Sequence, residues 1–541
     1  MRAAQRKFLL PVLFLSALIP LLILWQSGTH GLIGFPLDDA WIHLVYGRSI
    51  AENGYLAYNT GIPSTGCTSP LWAYMLGVAH LLFSKTGAVI LAAKFFGLFF
   101  HVLMVYYGFK IISAATNSGL AGGLSALILG LSPFLAVSSL SGMEISLGCA
   151  LCSAGIWAYL QGRYWPAGLF LGLSGLTRPE YALVICVVII DLLLRVQQKK
   201  IPFSKVLILA IPVILMAGLF LGWNLYVDGR LFPTTYYVKA IPRGGLPFLD
   251  RLVYGFMIIS STSPLKWGIV WLGALGVLTV RREARRTALL LLFSGMAYLL
   301  GNLVLIPPSD PEAFYHIRYL LPSVPLFFTG IAIIFASASM ALFANIRKWL
   351  FHSVLALLLI FFLATTVSGL KFWTIKYARD CRNINEVQVA LGNAVSCAFS
   401  REARIGTIDA GAVRYFGKRY TYDLMGLNTK ILTNFACQDN VLEALVLMPA
   451  WVRLPSPHGL VPILVKQTKD YHVTSNPRMN CQVIVVCRSE SNATLQEMRL
   501  LILGRSINVC LRCVGDGEME CLNKLLDNHG LKRGMSVDWE K

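Results

Sequence analysis

Two adjacent carboxylates, Asp38 and Asp39, stand in "PLDDAWIHLVYGRSIAENGYLAYNTG" (36–61), next to Pro36 and ahead of a helix-compatible stretch. A single Asp there is well suited to capping a helix, because its side chain satisfies free N–H groups and complements the helix dipole. One acid suffices for that task. Two neighbouring acids repel, so one of them holds its proton more tightly, and such pairs abstract protons or bind cations. The residues alone leave the capping and the chemical readings both open.

Further groups able to do chemistry are scattered along the chain. Glu144 lies in "SGMEISL" (141–147), and His316 and Arg318 lie in "FYHIRYLLP" (314–322). Lys239 follows Tyr236 and Tyr237 in "YYVKA" (236–240), and His80 sits on an apolar stretch after "SPLW" (69–72). Cations of this kind can meet a phosphate or a sugar. Lys239 can equally be an interfacial anchor, Arg318 an Arg snorkelling toward water, and His80 a satisfied core residue. Arg178 and Glu180 in "TRPE" (177–180) are closer to a mutually neutralising pair, which makes their burial tolerable. Aromatic residues crowd the same region as the acid pair (Trp41, Tyr46, Tyr55, Tyr58 and Trp72), where they could face a sugar ring or mark a membrane surface.

The elements that must carry these residues follow from composition. The chain has 541 residues, 56% hydrophobic and 14% charged, with a mean hydropathy of +0.63. Soluble domains carry roughly 25% charged residues, and apolar runs of about 20 residues recur here, so most of the chain reads as a polytopic α-helical membrane protein. The first run, "FLLPVLFLSALIPLLILW" (8–25), holds Pro11 and Pro20 and no small-residue cleavage site follows it, so it reads as a retained span. The net charge of +20 does not indicate nucleic acid. Its lysines and arginines gather between apolar runs: Arg2, Arg6 and Lys7; Arg195, Lys199, Lys200 and Lys205; "RREARR" (281–286); Arg347 and Lys348. That grouping is what the positive-inside rule expects of cytoplasmic loops.

With the N-terminus inside, spans at 8–25, 205–226, 264–280, 287–306, 319–339 and 349–370 alternate between these clusters. Asp38 and Asp39, residues 230–240, 307–319 and everything after 371 then lie outside. Between 70 and 195 two counts compete. One makes 70–84 a span and puts Glu144 on the cytoplasmic side. The other makes 70–84 re-entrant or interfacial and takes 86–109, 117–139, 144–160, 165–177 and 180–195 as spans. It gives about eleven transmembrane helices and places Glu144, Arg178 and Glu180 outside.

From 371 the composition becomes that of a soluble domain. "REARIGTIDAGAVRYFGKRYTYDLMG" (401–426) reads as strand, glycine turn, short helix and strand, and "EALVLMPAW" and "CQVIVVC" add strand candidates. An extracytoplasmic α/β domain over 371–541 is expected. "DAGA" lacks the full glycine pattern of a dinucleotide site. Eight of the twelve cysteines fall after 371, consistent with disulfides for some of them outside the membrane. Cys510 and Cys513 alone make only a weak zinc signature.

The motifs now fall into an order. "PLDDAWIHLVYGRSIAENGYLAYNTG", "STGCTSPLW", "SGMEISL", "GLTRPEYAL", "LFPTTYYVKA", "HIRYLLPSVPLF" and "DAGAVRYFGKRYTYDLMGL" follow one another from residue 36 to residue 427. The chain resembles the GT-C glycosyltransferases over residues 30 to about 430, most of all the branch of the mycobacterial terminal arabinofuranosyltransferase. Departures are Gly47 where that branch often has Ala, Thr60 where it has Pro, and Ser64 and Thr65 where it tends to acidic or bulkier residues. These put the identity of the sugar in question more than the reaction.

The resemblance implies a GT-C module over 1–227 with seven spans and a catalytic first outer loop (about 26–85). Additional helices over 228–370 and the soluble tail complete the chain. It implies an enzyme that moves a sugar from a polyprenyl-phosphate donor, with inversion, to a glycan or lipid acceptor on the outer face of a bacterial plasma membrane. Asp38 or Asp39 would be the general base. A second acid, Glu144, belongs on the same outer face, which favours the second span count. His316, Arg318, Lys239, His80, Glu144 and Tyr236 become candidates for binding the donor phosphate or sugar. Some enzymes of this fold need a divalent cation such as magnesium or manganese and others do not, so a metal across Asp38, Asp39 and Glu144 stays open. Competing readings are a flippase for lipid-linked sugars and a transferase acting on lipid A or protein. The flippase would want inverted repeats and mid-membrane charges, whereas the charges here gather at span ends.

Overall fold

The computed structural model describes residues 3–239, 247–262, 282–305, 318–342, 348–429, 442, 444–447 and the strands 460–467, 481–487, 495–502 and 505–512. Helices dominate as far as residue 398, and strands follow. Among the described residues, five helical stretches are long and apolar enough to cross a bilayer: Lys7–Gly28, Thr86–Thr116, Ser204–Asp228, Arg282–Val304 and Ser323–Met340. A sixth forms if Gly119–Gly130 and Pro133–Ser139, bent by 62° at their junction, are one broken span. Pro133 explains the bend, since its ring and missing N–H end the preceding helix and start the next.

The expected eleven spans therefore need shorter helices to cross as well. Ile145–Leu160, Tyr164–Gly175 and Tyr181–Gln197 coincide with three of them at 16, 12 and 17 residues. At 1.5 Å per residue a 12-residue helix covers about 18 Å, well under the roughly 30 Å of a hydrocarbon core. The expected span at 264–280 lies outside the described residues. Helix Lys348–Ile384 runs unbroken through position 371, so the change in composition there is not a break in the backbone.

Helix Pro70–Leu82 has 13 residues and reaches about 20 Å, too short to span. This return helix packs against the loop helix Asp39–Asn53, and between them Trp41, Tyr46 and Trp72 are fully buried. The Trp72 indole donates to Gly142 O at 2.9 Å, which ties the first loop to the corner carrying Glu144. Gly142 has a left-handed φ of +76°, and a Cβ there would meet the Phe35 ring at 2.5 Å, so only glycine fits this corner. The same corner is gripped from a neighbouring span. Lys94, buried in helix Thr86–Thr116, donates to Leu140 O at 3.1 Å and to the Tyr377 hydroxyl. A buried lysine in a span is tolerable when backbone and hydroxyl oxygens receive its charge.

After residue 398 a five-stranded sheet forms. Arg404–Thr407 pairs in parallel with Tyr420–Asp423 on one side and with Ala444–Leu447 on the other. Cys481–Cys487 runs antiparallel to Ala444–Leu447 and to Leu460–Gln467. The expected strand, glycine turn, short helix and strand over 401–426 appear as Arg404–Thr407, the turn at Gly411, the tail helix Ala412–Gly417 and Tyr420–Asp423. Cys381 is a buried free thiol, which removes it from the expected disulfides; the cysteines from 437 onward lie outside the described side chains.

Candidate active site

The loop helix begins at the acid pair, and its first turn presents Asp38 and Asp39 to different surroundings. Asp39, 28% exposed, accepts from Arg318 Nη1 at 2.6 Å. Arg318 itself is only 3% exposed and donates its other terminal nitrogen to the Tyr319 hydroxyl at 2.9 Å. Its guanidinium carbon lies 4.8 Å from the Tyr319 ring centre, and that of Arg178 lies 5.0 Å from the same ring. Arg178 bridges two acids, Glu144 at 3.0 Å and Glu180 at 3.2 Å. Glu144 is closed from its other side by His43 Nε2 at 3.1 Å. His43 stands one helical turn after Asp39 on the loop helix. A continuous run of contacts therefore leads from Asp39 through Arg318, Tyr319, Arg178 and Glu144 to His43, and so back to the helix that holds Asp39.

Asp38 turns the other way, toward the tail. Its two oxygens accept the main-chain N–H groups of Gly411 at 2.7 Å and Ala412 at 2.8 Å. The glycine is required by proximity, since a Cβ at 411 would sit 2.1 Å from Asp38 O and 2.7 Å from its carboxylate. Burial, then the nearby Asp409 carboxylate and, more weakly, Asp39, push the Asp38 carboxyl well above the usual carboxylate range; the two amides pull the other way. Around this clamp the first loop and tail are joined throughout. Tyr58 donates to Ala410 O at 2.7 Å, and Asn59 exchanges two hydrogen bonds of 2.9 Å with the backbone of Thr421. Tyr46 and Ser64 hold Asn428 at 3.0 and 2.9 Å, while Trp41 packs against Tyr415 and Phe416.

Of the expected site residues, Asp38, Asp39, Glu144 and Arg318 are brought to one end of the helical bundle. His80 is not among them: it lines a separate cleft to which neither acid contributes. Burial, and after it the Arg48 charge, lowers its pKa to about 4. Tyr236 is 41% exposed, with its ring against Phe232 and Tyr237. Its helix Thr234–Lys239 meets the first loop through Thr234, whose hydroxyl lies 2.6 Å from that of Thr65. Lys239 ends that helix, its side chain outside the described residues, and His316 lies outside them altogether.

The cation site left open across Asp38, Asp39 and Glu144 is not assembled among the described residues. Among the described residues no group of three or more His, Cys, Asp or Glu side chains could hold a metal ion. The reason is that each acid already faces a different donor: main-chain amides, Arg318, and Arg178 with His43. Sequence reasoning missed His43, Tyr319 and the clamp at 411–412. The i, i+4 spacing of Asp39 and His43 was a usable sign of the first, and nothing local pointed to the last.

The arrangement thus offers a part-exposed carboxylate beside a buried cation. A carboxylate can take a proton from a hydroxyl, and a fixed guanidinium can face an anion that forms as a bond breaks.

Comparison with known proteins bears on family and fold. Residues 382–495, which include the clamp, match a family model described as a domain of unknown function, DUF8728. No curated protein matches the chain. Among solved structures it is similar to ArnT from Cupriavidus metallidurans bound to undecaprenyl phosphate. That likeness has a TM-score of 0.58 at 12% identity, over 87% of this chain and 98% of that one. It is also similar to the archaeal oligosaccharyltransferase AglB from Archaeoglobus fulgidus, in complex with an inhibitory peptide and a dolichol-phosphate. There the TM-score is 0.51 at 12% identity, over 82% of this chain and 70% of that one. The chain has the GT-C fold. At such identities the likeness concerns fold alone.

Proposed function

We propose that the chain is an inverting membrane glycosyltransferase that moves a sugar from a polyprenyl-phosphate donor to a hydroxyl on a cell-envelope glycan or lipid. The observation that carries this reading is the pairing of Asp39 with the buried Arg318 at the mouth of the bundle. Asp39 is the general base in this proposal, and Arg318 faces the departing phosphate. In a direct displacement the acceptor oxygen bonds to the anomeric carbon from the side opposite the phosphate. The C–O bond to the phosphate breaks, its electron pair leaves with the polyprenyl phosphate, and the hydroxyl proton passes to the Asp39 carboxylate. Asp38 acts as a positioning residue, because its oxygens are occupied by the tail.

Two further points support the reading. The motif order resembles the arabinofuranosyltransferase branch, and the two fold neighbours were solved with an undecaprenyl or dolichol phosphate. The same proposal puts the N-terminus in the cytoplasm of a bacterium, and the first loop and a C-terminal α/β domain outside its plasma membrane.

The test is a mass-spectrometric comparison of envelope glycans and lipids from wild type, a deletion strain, and Asp39→Asn, Asp38→Asn and Arg318→Gln strains with normal protein levels. Asp39→Asn should lack the same sugar as the deletion, which also names the donor. A wild-type profile from both Asn variants, with a changed profile in the deletion, overturns the reading.

A further inference from the structure

A second concentration of charge lies away from the acid pair. Arg48 follows Asp39 by nine residues, two and a half helical turns, and so projects from the opposite face of the loop helix. It enters a cleft of about 710 Å³ between the loop helix, the return helix and the tail. Arg414 and Lys418 of the tail line the same cleft, with His80 from the return helix and Glu52 as its one acid among the described residues.

The cations there are incompletely neutralised. Arg48 donates to Tyr415 O at 2.9 Å and stacks on the Tyr415 ring at 3.6 Å. Arg414 is 8% exposed and gives one N–H to Tyr58 O at 3.1 Å. Among the described residues, none of Arg48, Arg414 and Lys418 has a carboxylate within 4.0 Å. Burial foremost, and the Arg48 charge with it, press the Arg414 guanidinium below its ordinary range. A buried cation beside a second cation is costly unless an anion completes the set. The carbonyls at the end of the tail helix do not repel such an anion freely, because Lys418 N–H and Arg48 already cap those of Arg414 and Tyr415.

The lip of the cleft is apolar. Leu81, 69% exposed, and Phe83, 42% exposed, close the return helix on this side, and Leu82 beside them is 68% exposed. Exposed leucines and a phenylalanine next to arginines and a lysine match the boundary between acyl chains and headgroups. We infer that this cleft binds the phosphate monoester of a lipid whose chains lie along Leu81 and Phe83, at a site distinct from the Asp39–Arg318 pair. The inference needs the membrane setting but not the sugar-transfer chemistry.

The full-length chain in nonionic detergent, titrated with short-chain phosphatidic acid, short-chain phosphatidylcholine and inorganic phosphate, tests it by thermal unfolding. Phosphatidic acid should raise Tm, and phosphatidylcholine should not. Arg414→Gln should weaken the apparent affinity roughly tenfold or more, as expected for loss of a charge-assisted hydrogen bond. Because that variant also loses its contact to Tyr58, two exposed positions guard the interpretation. Lys418→Gln should weaken binding about two- to fivefold, and Glu52→Gln should tighten it by a similar factor. Asp39→Asn should bind as wild type. Inorganic phosphate stabilising as strongly as phosphatidic acid overturns the lipid source. No response to either, or unchanged affinity in both Lys418→Gln and Glu52→Gln, overturns the site.

Discussion

Replacing Asp38 with Asn isolates the contact that joins the first loop to the tail. The carboxylate accepts two main-chain N–H groups, one on each oxygen, at 2.7 and 2.8 Å. Asn keeps one acceptor and turns an NH2 group toward the second N–H. Two hydrogen bonds to the carboxyl group, each ~1 kcal/mol, become one beside a donor facing a donor, which adds the ~1–3 kcal/mol cost of an unsatisfied buried N–H. Against this loss, Asn removes a group whose charged form is disfavoured by burial and by Asp409 and Asp39. The net cost should be about 1–3 kcal/mol, concentrated at residues 411–412. Hydrogen exchange of the full chain in detergent reads this directly. Each 1.36 kcal/mol is a factor of ten in the opening equilibrium, so the Gly411 and Ala412 amides should exchange roughly 5- to 150-fold faster. The flanking strand Arg404–Thr407 should be affected less. Unchanged exchange at 411–412 in Asp38→Asn, with faster exchange there in Asp39→Asn, would refute the assignment of the clamp to Asp38.

Gly411→Ala should open the same clamp by collision rather than by lost bonding, since its Cβ would lie 2.1 Å from Asp38 O. Fast exchange over 409–412 with the carboxylate intact is the expected signature, and native protection would contradict the close approach. Asp39→Asn should lower turnover by about 10²–10⁴-fold with little change in donor affinity, measured with a defined polyprenyl-phosphate sugar. Glu144→Gln should destabilise the fold by about 3–5 kcal/mol, because Arg178 and His43 lose a shared buried anion and Glu180 holds only Arg178; thermal unfolding checks this. His80 has a folded pKa of about 4 against an ordinary 6.5. The unfolded chain therefore binds the proton first, and stability present above pH 6.5 is lost as pH falls toward 4. His80→Gln should flatten the Tm profile over that window, and identical profiles would show that His80 does not titrate there.

What could be read from the sequence, and what could not, divides by the range of the interaction. The acid pair, the strand–turn–strand order of 401–426 and the length of the long spans are local: they follow from neighbouring residue types and from periodicity. The short helices between 145 and 197 were harder, because apolar composition marks burial without saying whether lipid or protein buries it. The metal question stayed open in the sequence for a related reason. Three acids at one end of a bundle look like a ligand set until their partners are known, and Arg318, 279 residues from Asp39, is invisible to any local pattern. The clamp is the extreme case. Gly411 and Ala412 contribute only backbone N–H groups, so no side-chain type could have announced that they meet an acid 373 and 374 residues earlier. Yet this contact separates the roles of two adjacent aspartates. The fold consumes one carboxylate in joining loop to tail and leaves the other part-exposed beside a buried cation, so like charges side by side need not share one task.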